Sequence, residues 1–437
     1  MEAFSIDGGR PLQGDVQASG AKNAALPIMA AAILAEGPIC LDRVPQLADV
    51  NTLACLLRRL GMAVTWNADR ALELVTHSHA PVVAGARLVH RMRASFCVLG
   101  PLLARRGRAT VALPGGCRIG PRPVDLHLMG LSRLGAELRL EAGYVAARAR
   151  RLQGADIDLS QARVPTVTGT ANLMCAATLA RGRTVICGAA REPEIVDLGH
   201  FLNALGAEIS GLGTSTLEIR GVEQLGHARH QLIPDRIEAG TMLLAAAASG
   251  GSVTVEQIEP GHMTALLEVL QAMGCRLQIG PESVTLTRSG KLVAVDVEAD
   301  AYPGLPTDLQ AQLMAVLCLA EGRSRVGDHV FPQRLRHVRQ LRRFGARIQR
   351  LPGEAVIEGV SRLAAADCQA TDLRASAALV LAGLASEGRT LVRGVHHLDR
   401  GYEEFQRKLS PLGASIQRLR YSARPNQAPR PSFVAPL

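Results

Sequence analysis

The chain has 437 residues with a formal net charge of +10, and 47% of them are hydrophobic against 20% charged. That length exceeds one comfortable core, so two or more domains are expected, and the composition excludes a disordered chain. Aromatic residues make up only 3%, and the arginines are dispersed apart from short runs such as Arg148, Arg150 and Arg151, so a base-stacking nucleic-acid platform is excluded and no nucleic-acid partner is expected.

The first residues, Met1 to Asp7, carry no basic start and no long apolar run, and the apolar stretch from Ala24 to Ala35 is too short to span a bilayer. No membrane association is expected, and the cytoplasm is the expected location. The nine cysteines are scattered without a Cys-x-x-Cys pair, which favours reduced thiols over a disulfide framework or a zinc site.

From Leu34 onward a helical run ends in a glycine turn and a β-prone segment, and the pattern recurs along the chain. The turns contain Gly37, Gly107, Gly182, Gly250, Gly322 and Gly388. Each is answered roughly 24 residues later by a second helix-to-strand turn, at Gly61, Gly135, Gly206, Gly274, Gly345 and Gly413. A period of about 70 residues is too long for a solenoid. It predicts an α/β protein of six βαβαβ-type units, three to a domain.

Several segments could carry chemistry. The basic residues include only three lysines, Lys22, Lys291 and Lys408, and Lys22 sits in a small-residue turn, Ala18 to Ala24, that opens an apolar helix. Backbone N–H groups at a helix start, with an ammonium beside them, suit a phosphate, against the alternative of a lysine retained by chance. Arg93 stands at a predicted helix start with Arg91 two residues away. The loop Leu113 to Pro123 has too many glycines and prolines for a helix or central strand, and it places Cys117 between Arg118 and Arg122. Nearby cations raise a thiol's thiolate fraction, against the alternative of a bystander surface cysteine. Asp308, in Pro306-Thr307-Asp308, reads first as a helix N-cap. Asp372 and Arg374 begin an Ala-rich helix, Arg400 lies at a glycine turn, and Pro234 to Glu238 reads as a surface ion-pair network or a domain junction. Residues 421–437 are Pro-rich and read as a disordered tail.

Together, Ser19 to Pro27, Leu113 to His127, Arg191 to Asp197, Pro234 to Thr241, Pro306 to Asp308, Thr371 to Ser376 and Leu398 to Tyr402 resemble the enolpyruvyl transferase superfamily. The match is to its sugar-nucleotide branch, the UDP-N-acetylglucosamine 1-carboxyvinyltransferases, and it runs from about Met1 to Arg420. The resemblance implies a two-domain inside-out α/β barrel. One domain would span residues 22–232 and carry the Cys117 lid loop; the other would combine residues 1–21 and 233–420 and carry Asp308, Arg374 and Arg400. It implies transfer of an enolpyruvyl group from phosphoenolpyruvate to a UDP-N-acetylglucosamine hydroxyl, with neither metal nor organic cofactor. It says nothing of oligomeric state.

The resemblance also implies roles. Lys22, Arg122 and Arg400 would bind the donor's phosphate and carboxylate, and Cys117 would be the general acid for its methylene carbon and the residue fosfomycin alkylates. Asp308 would take the proton of the sugar 3-hydroxyl. Asn23 and Arg93 would hold the sugar nucleotide, Arg122, Pro123, Val124, Asp125 and Leu126 its uridine, and Asp372 and Arg374 would close the site. Val330 is among the implied substrate-binding positions, as are Thr166, Val167 and Thr168, which stand where the family usually has Ser-Val-Gly. Arg118 after the cysteine and Phe331-Pro332-Gln333-Arg334 for a usual Phe-Glu-Asn-Arg are further departures. They leave open a paralogous transferase for another nucleotide, or a non-catalytic sugar-nucleotide sensor. A 3-phosphoshikimate transferase is disfavoured by the Cys117 loop, and a sensor has no need of Lys22, Cys117, Asp308 and Arg400 together.

Overall fold

Six helices form the interior among the described residues: five are apolar on nearly every side, a composition that only an interior position satisfies, and Leu99–Arg106 buries its first five residues before ending in half-buried Arg105 and Arg106. They are α1 (Lys22–Ala31), α2 (Leu99–Arg106), α3 (Val167–Ala177), α4 (Arg236–Ser249), α5 (Thr307–Leu317) and α6 (Leu373–Ala385). In a computed structural model, which describes residues 2–77, 80–115, 124–162 and 164–420, the chain divides into two compact units. Ser19–Ile233 form one; Met1–Ala18 and the chain from Pro234 form the other. The first unit contains α1 to α3, the second α4 to α6. In the second unit the three helices pack on one another, and their alanines, such as Ala245, Ala246, Ala377 and Ala378, are fully buried.

Around the core helices lie six four-stranded sheets among the described residues, three to a unit, all with one pairing scheme. Val83–Ala84, for example, runs parallel to Arg108–Ala112, which pairs antiparallel with Tyr144–Arg148, which in turn pairs antiparallel with Glu137–Glu141. Along these strands burial alternates, as in Arg183–Cys187 and Ser283–Thr287, so one face covers the helices and the other meets solvent. Sheets outside and helices inside make each unit an inside-out α/β barrel. The repeat runs strand, core helix, strand, outer helix and a closing hairpin.

The glycine turns have a backbone reason. Gly61, Gly135, Gly206, Gly274, Gly345 and Gly413 all take positive φ, between 79° and 103°, which a Cβ disfavours. Gly37 is the exception among the first set: its φ is ordinary, and a Cβ there would meet the Cβ of His227 at 2.7 Å, so close approach selects it instead.

Two pairings close the second unit through the start of the chain. Glu2–Asp7 lies between Arg389–Arg393 and Ser415–Arg420, antiparallel to both, and Gln13–Gln17 runs parallel to Ser252–Glu256. In the first unit Ala228–Gln231 returns to pair with Ile39–Asp42. Residues 421–437, expected to be a tail, lie outside the described residues.

Candidate active site

In the second unit the site is built where the core helices begin. Asp308 is the second residue of α5, behind Pro306, and no side chain caps that helix, so Asp308 is not the N-cap its sequence position suggests. Its carboxylate is drawn to two guanidiniums instead: Oδ1 accepts from Arg334 at 2.7 Å and Oδ2 from Arg374 at 2.6 Å. The Arg374 side chain is 4% exposed, that of Arg334 8% and that of Asp308 26%. Burial by itself works against the charge of Arg374; the Asp308 carboxylate more than restores it, and the guanidinium pKa ends above its ordinary value.

Behind this pair lies a buried hydroxyl cluster. The Tyr402 hydroxyl meets Thr241 Oγ1 at 2.9 Å and accepts from Gln312 Nε2 at 2.9 Å, and the same amide nitrogen donates to the Asp308 carbonyl at 2.9 Å. The Arg374 guanidinium lies over the Tyr402 ring, 5.6 Å from its centroid. Tyr402 therefore ties α4, α5 and α6 together beneath the Asp308–Arg374 pair. Burial raises the tyrosine pKa, with Arg374 and Thr241 opposing, which keeps the phenol neutral.

The flanking positions are set by caps and turns. Asp372 is the N-cap of α6, accepting from the backbone of Arg374 and Ala375 at 3.0 Å each. Asp328 accepts the backbone N–H of Val330 at 3.0 Å and of Phe331 at 2.6 Å, and Thr307 donates its hydroxyl to the same carboxylate. Arg400 ends the 3-10 helix Val395–Arg400, which packs on α6. Asp235 caps α4 and, like Glu238, is buried, so Pro234 to Glu238 is not the surface network it resembles in sequence.

In the first unit Lys22 is the opening residue of α1 and its ammonium stands 3.6 Å from Asp49, both side chains buried. Asn23 beside it is exposed. Arg93 opens the 3-10 helix Arg93–Val98. Val124 precedes the helix Asp125–Arg133, whose first two residues are Asp125 and Leu126. Thr166 caps α3, accepting from the Gly169 backbone at 3.2 Å, while Val167 is exposed and Thr168 half-buried. Beneath Thr168 lies His127, 1% exposed. Burial first, and Arg93 second, depress its pKa to about 3, so the ring is neutral.

Cys117, Arg122 and Pro123, together with Arg118, lie outside the described residues. Among the described thiols, burial pushes Cys97 and Cys318 up to about 12 and raises Cys175 further, so these three are inert packing residues. Among the described residues no group of three or more His, Cys, Asp or Glu side chains is placed to hold a metal ion, and no helix is long and apolar enough to cross a membrane. Sequence reasoning singled out Asp308 and Arg374 but missed Thr241, Gln312, His127 and Asn172. Their signal was a polar side chain inside an otherwise apolar helix, which burial obliges to find a partner.

The model of the EPSP synthase (3-phosphoshikimate 1-carboxyvinyltransferase) family matches residues 6–409. The UDP-N-acetylglucosamine 1-carboxyvinyltransferase of Halorhodospira halophila is 49% identical over 96% of this chain and 100% of its own length. That of Myxococcus xanthus is also 49% identical, over 96% and 99%. Among solved structures, the enolpyruvyl transferase NikO from Streptomyces tendae superposes with a TM-score of 0.86 at 27% identity, covering 95% of this chain and 98% of its own. EPSP synthase from Acinetobacter baumannii gives 0.74 at 17% identity over 96% and 100%, a likeness of fold.

Proposed function

The chain belongs to the EPSP synthase family of enolpyruvyl transferases, and from that membership we propose that it transfers the enolpyruvyl group of phosphoenolpyruvate to the 3-hydroxyl of UDP-N-acetylglucosamine, releasing phosphate. The observation that carries this reading is the 49% identity, across 96% of the chain, to enzymes named for that reaction. It favours the sugar-nucleotide acceptor over another nucleotide and an enzyme over a sensor. The reaction is the first committed step towards peptidoglycan, and a cytoplasmic location fits its substrates.

Addition of an alcohol to the enol phosphate requires one proton delivered to the methylene carbon and one removed from the attacking oxygen; phosphate then leaves while the new methyl group gives up a proton and the double bond re-forms. Cys117 would supply the first proton and Asp308 would take the second. Two guanidiniums on Asp308 favour its ionised, acceptor-only form and fix its orientation. They also weaken it as a base, so the proton transfer would be completed as the oxygen becomes acidic during attack. Lys22, Arg122 and Arg400 would hold the phosphate and carboxylate of the donor, where cations stabilise the charge that develops on departure.

Phosphate release measured with phosphoenolpyruvate and a panel of acceptors tests the reading. Turnover with UDP-N-acetylglucosamine is expected. Turnover with a different nucleotide alone would establish the paralogue, and binding without release the sensor. Cys117→Ser is expected to lose most activity and fosfomycin labelling, whereas Cys117→Asp, active but unlabelled, would single out the proton-donor role over an obligatory thioether.

A further inference from the structure

The interior of the first unit contains a chain of neutral hydrogen bonds whose polarity can be worked out end to end. It starts at the Gly100 backbone N–H, which can only donate and reaches Asn172 Oδ1 at 2.6 Å. The Phe96 carbonyl, which can only accept, meets Asn172 Nδ2 at 3.0 Å. These two contacts fix the orientation of the amide from opposite sides. The second proton of Nδ2 then goes to His127 Nδ1, 2.9 Å away, so Nδ1 must be the unprotonated ring nitrogen. The ring is buried, packed edge-on against Phe96 with centroids 5.2 Å apart. Burial holds it neutral, so its single proton resides on Nε2. Nε2 faces Thr168 Oγ1 at 3.3 Å, the only hydrogen-bond partner of that hydroxyl among the described residues. Thr168 therefore accepts from below and has its own proton left to give.

We infer that His127 and Asn172 are positioning residues for the acceptor substrate: through the Asn172–His127–Thr168 chain they commit the Thr168 hydroxyl to donating a hydrogen bond to an oxygen of the sugar nucleotide. This rests on the proposed function, in which Thr168 is one of the acceptor-binding positions. The arrangement favours an acceptor oxygen of the ligand, because a hydroxyl with one of its two lone pairs engaged by a fixed donor is biased towards giving its proton.

Thr168→Val keeps the shape and removes only the hydroxyl. The expected result is a rise of roughly tenfold in KM for UDP-N-acetylglucosamine, the scale of one hydrogen bond to a charged group, with KM for phosphoenolpyruvate and kcat changed less than about twofold. Thr168→Ser should restore the wild-type value. His127→Phe should raise the same KM in the wild-type background and add nothing in Thr168→Val, since both remove one interaction. Nitrogen NMR of the His127 ring in the wild-type protein should show Nε2 protonated and Nδ1 bare at neutral pH, a readout that a merely space-filling histidine would not fix. An unchanged acceptor KM in Thr168→Val, or a ring protonated on Nδ1, overturns the inference. Should the wild-type protein release no phosphate, the proposed function fails, and the tautomer is still decided by the NMR measurement.

Discussion

Asp308 and His127 are each gripped by partners from other elements of their own unit, yet the two grips work on different principles. Asp308 is held by charge: two guanidiniums, one of them nearly inaccessible, take its two oxygens. His127 is held by direction: an amide whose own orientation is fixed by backbone groups decides which ring nitrogen carries the proton. A charge pair tolerates some rotation but depends on both charges being present. A neutral chain carries no net charge, and its direction is pinned at the end where a backbone N–H can only donate and a carbonyl can only accept. The first arrangement suits a group that must exchange a proton, the second a group that must present one without releasing it.

The largest effect should come from breaking the ionic grip. Asp308→Ala is expected to reduce phosphate release by at least about 100-fold and, by leaving the Arg374 charge buried without its carboxylate, to cost roughly 3–5 kcal/mol in a urea unfolding titration. Wild-type rates in this variant would remove Asp308 from the chemistry. Asn172→Ala breaks the neutral grip and should cost less, about 1–3 kcal/mol, because the groups stranded at Gly100 and His127 are uncharged. A loss as large as that of Asp308→Ala would erase the distinction between the two regions.

The last effect is a pH dependence to which the neutral region contributes through His127. The His127 pKa lies near 3 in the folded chain, below its ordinary value of 6.5, so below that ordinary value the unfolded chain binds the proton first. Stability from this group is complete above pH 6.5, falls as the pH drops, and is lost once the folded ring protonates near 3. At pH 5 the loss is about 2 kcal/mol, measured as the difference between unfolding titrations at neutral and acid pH. His337, buried in the second unit and likewise depressed by burial, contributes with the same sign, so His127→Phe should flatten part of the dependence and leave the remainder.

The repeat was legible because each of its marks is a local backbone requirement. A helix that must stop and reverse into a strand needs a left-handed residue, and glycine supplies it at Gly61 and its five counterparts whatever lies around them. The burial of α1 and α6 was legible for a similar reason, since a helix apolar all round has no solvent-tolerant face. Lys22 and Asp372 also fall where a helix start was expected. By contrast, the Pro306-Thr307-Asp308 segment is compatible with a cap. Only the arrival of Arg334 and Arg374, the latter 66 positions further along, turns the carboxylate away from the helix end.

What the sequence by itself determined, then, is the family, the six-fold repetition and the residue types available for an anionic three-carbon donor and its acceptor. The tertiary structure alone decided which of those residues act as pairs: Asp308 with Arg374, Tyr402 with Thr241 and Gln312, His127 with Asn172 and Thr168. It also decided that the first strands of the chain complete the second unit. The physical reason is range. Turns and helix ends are settled by neighbours a few residues away, whereas a buried polar group takes whatever partner the packing of distant elements brings within 3 Å or so, and nothing in its own segment names that partner.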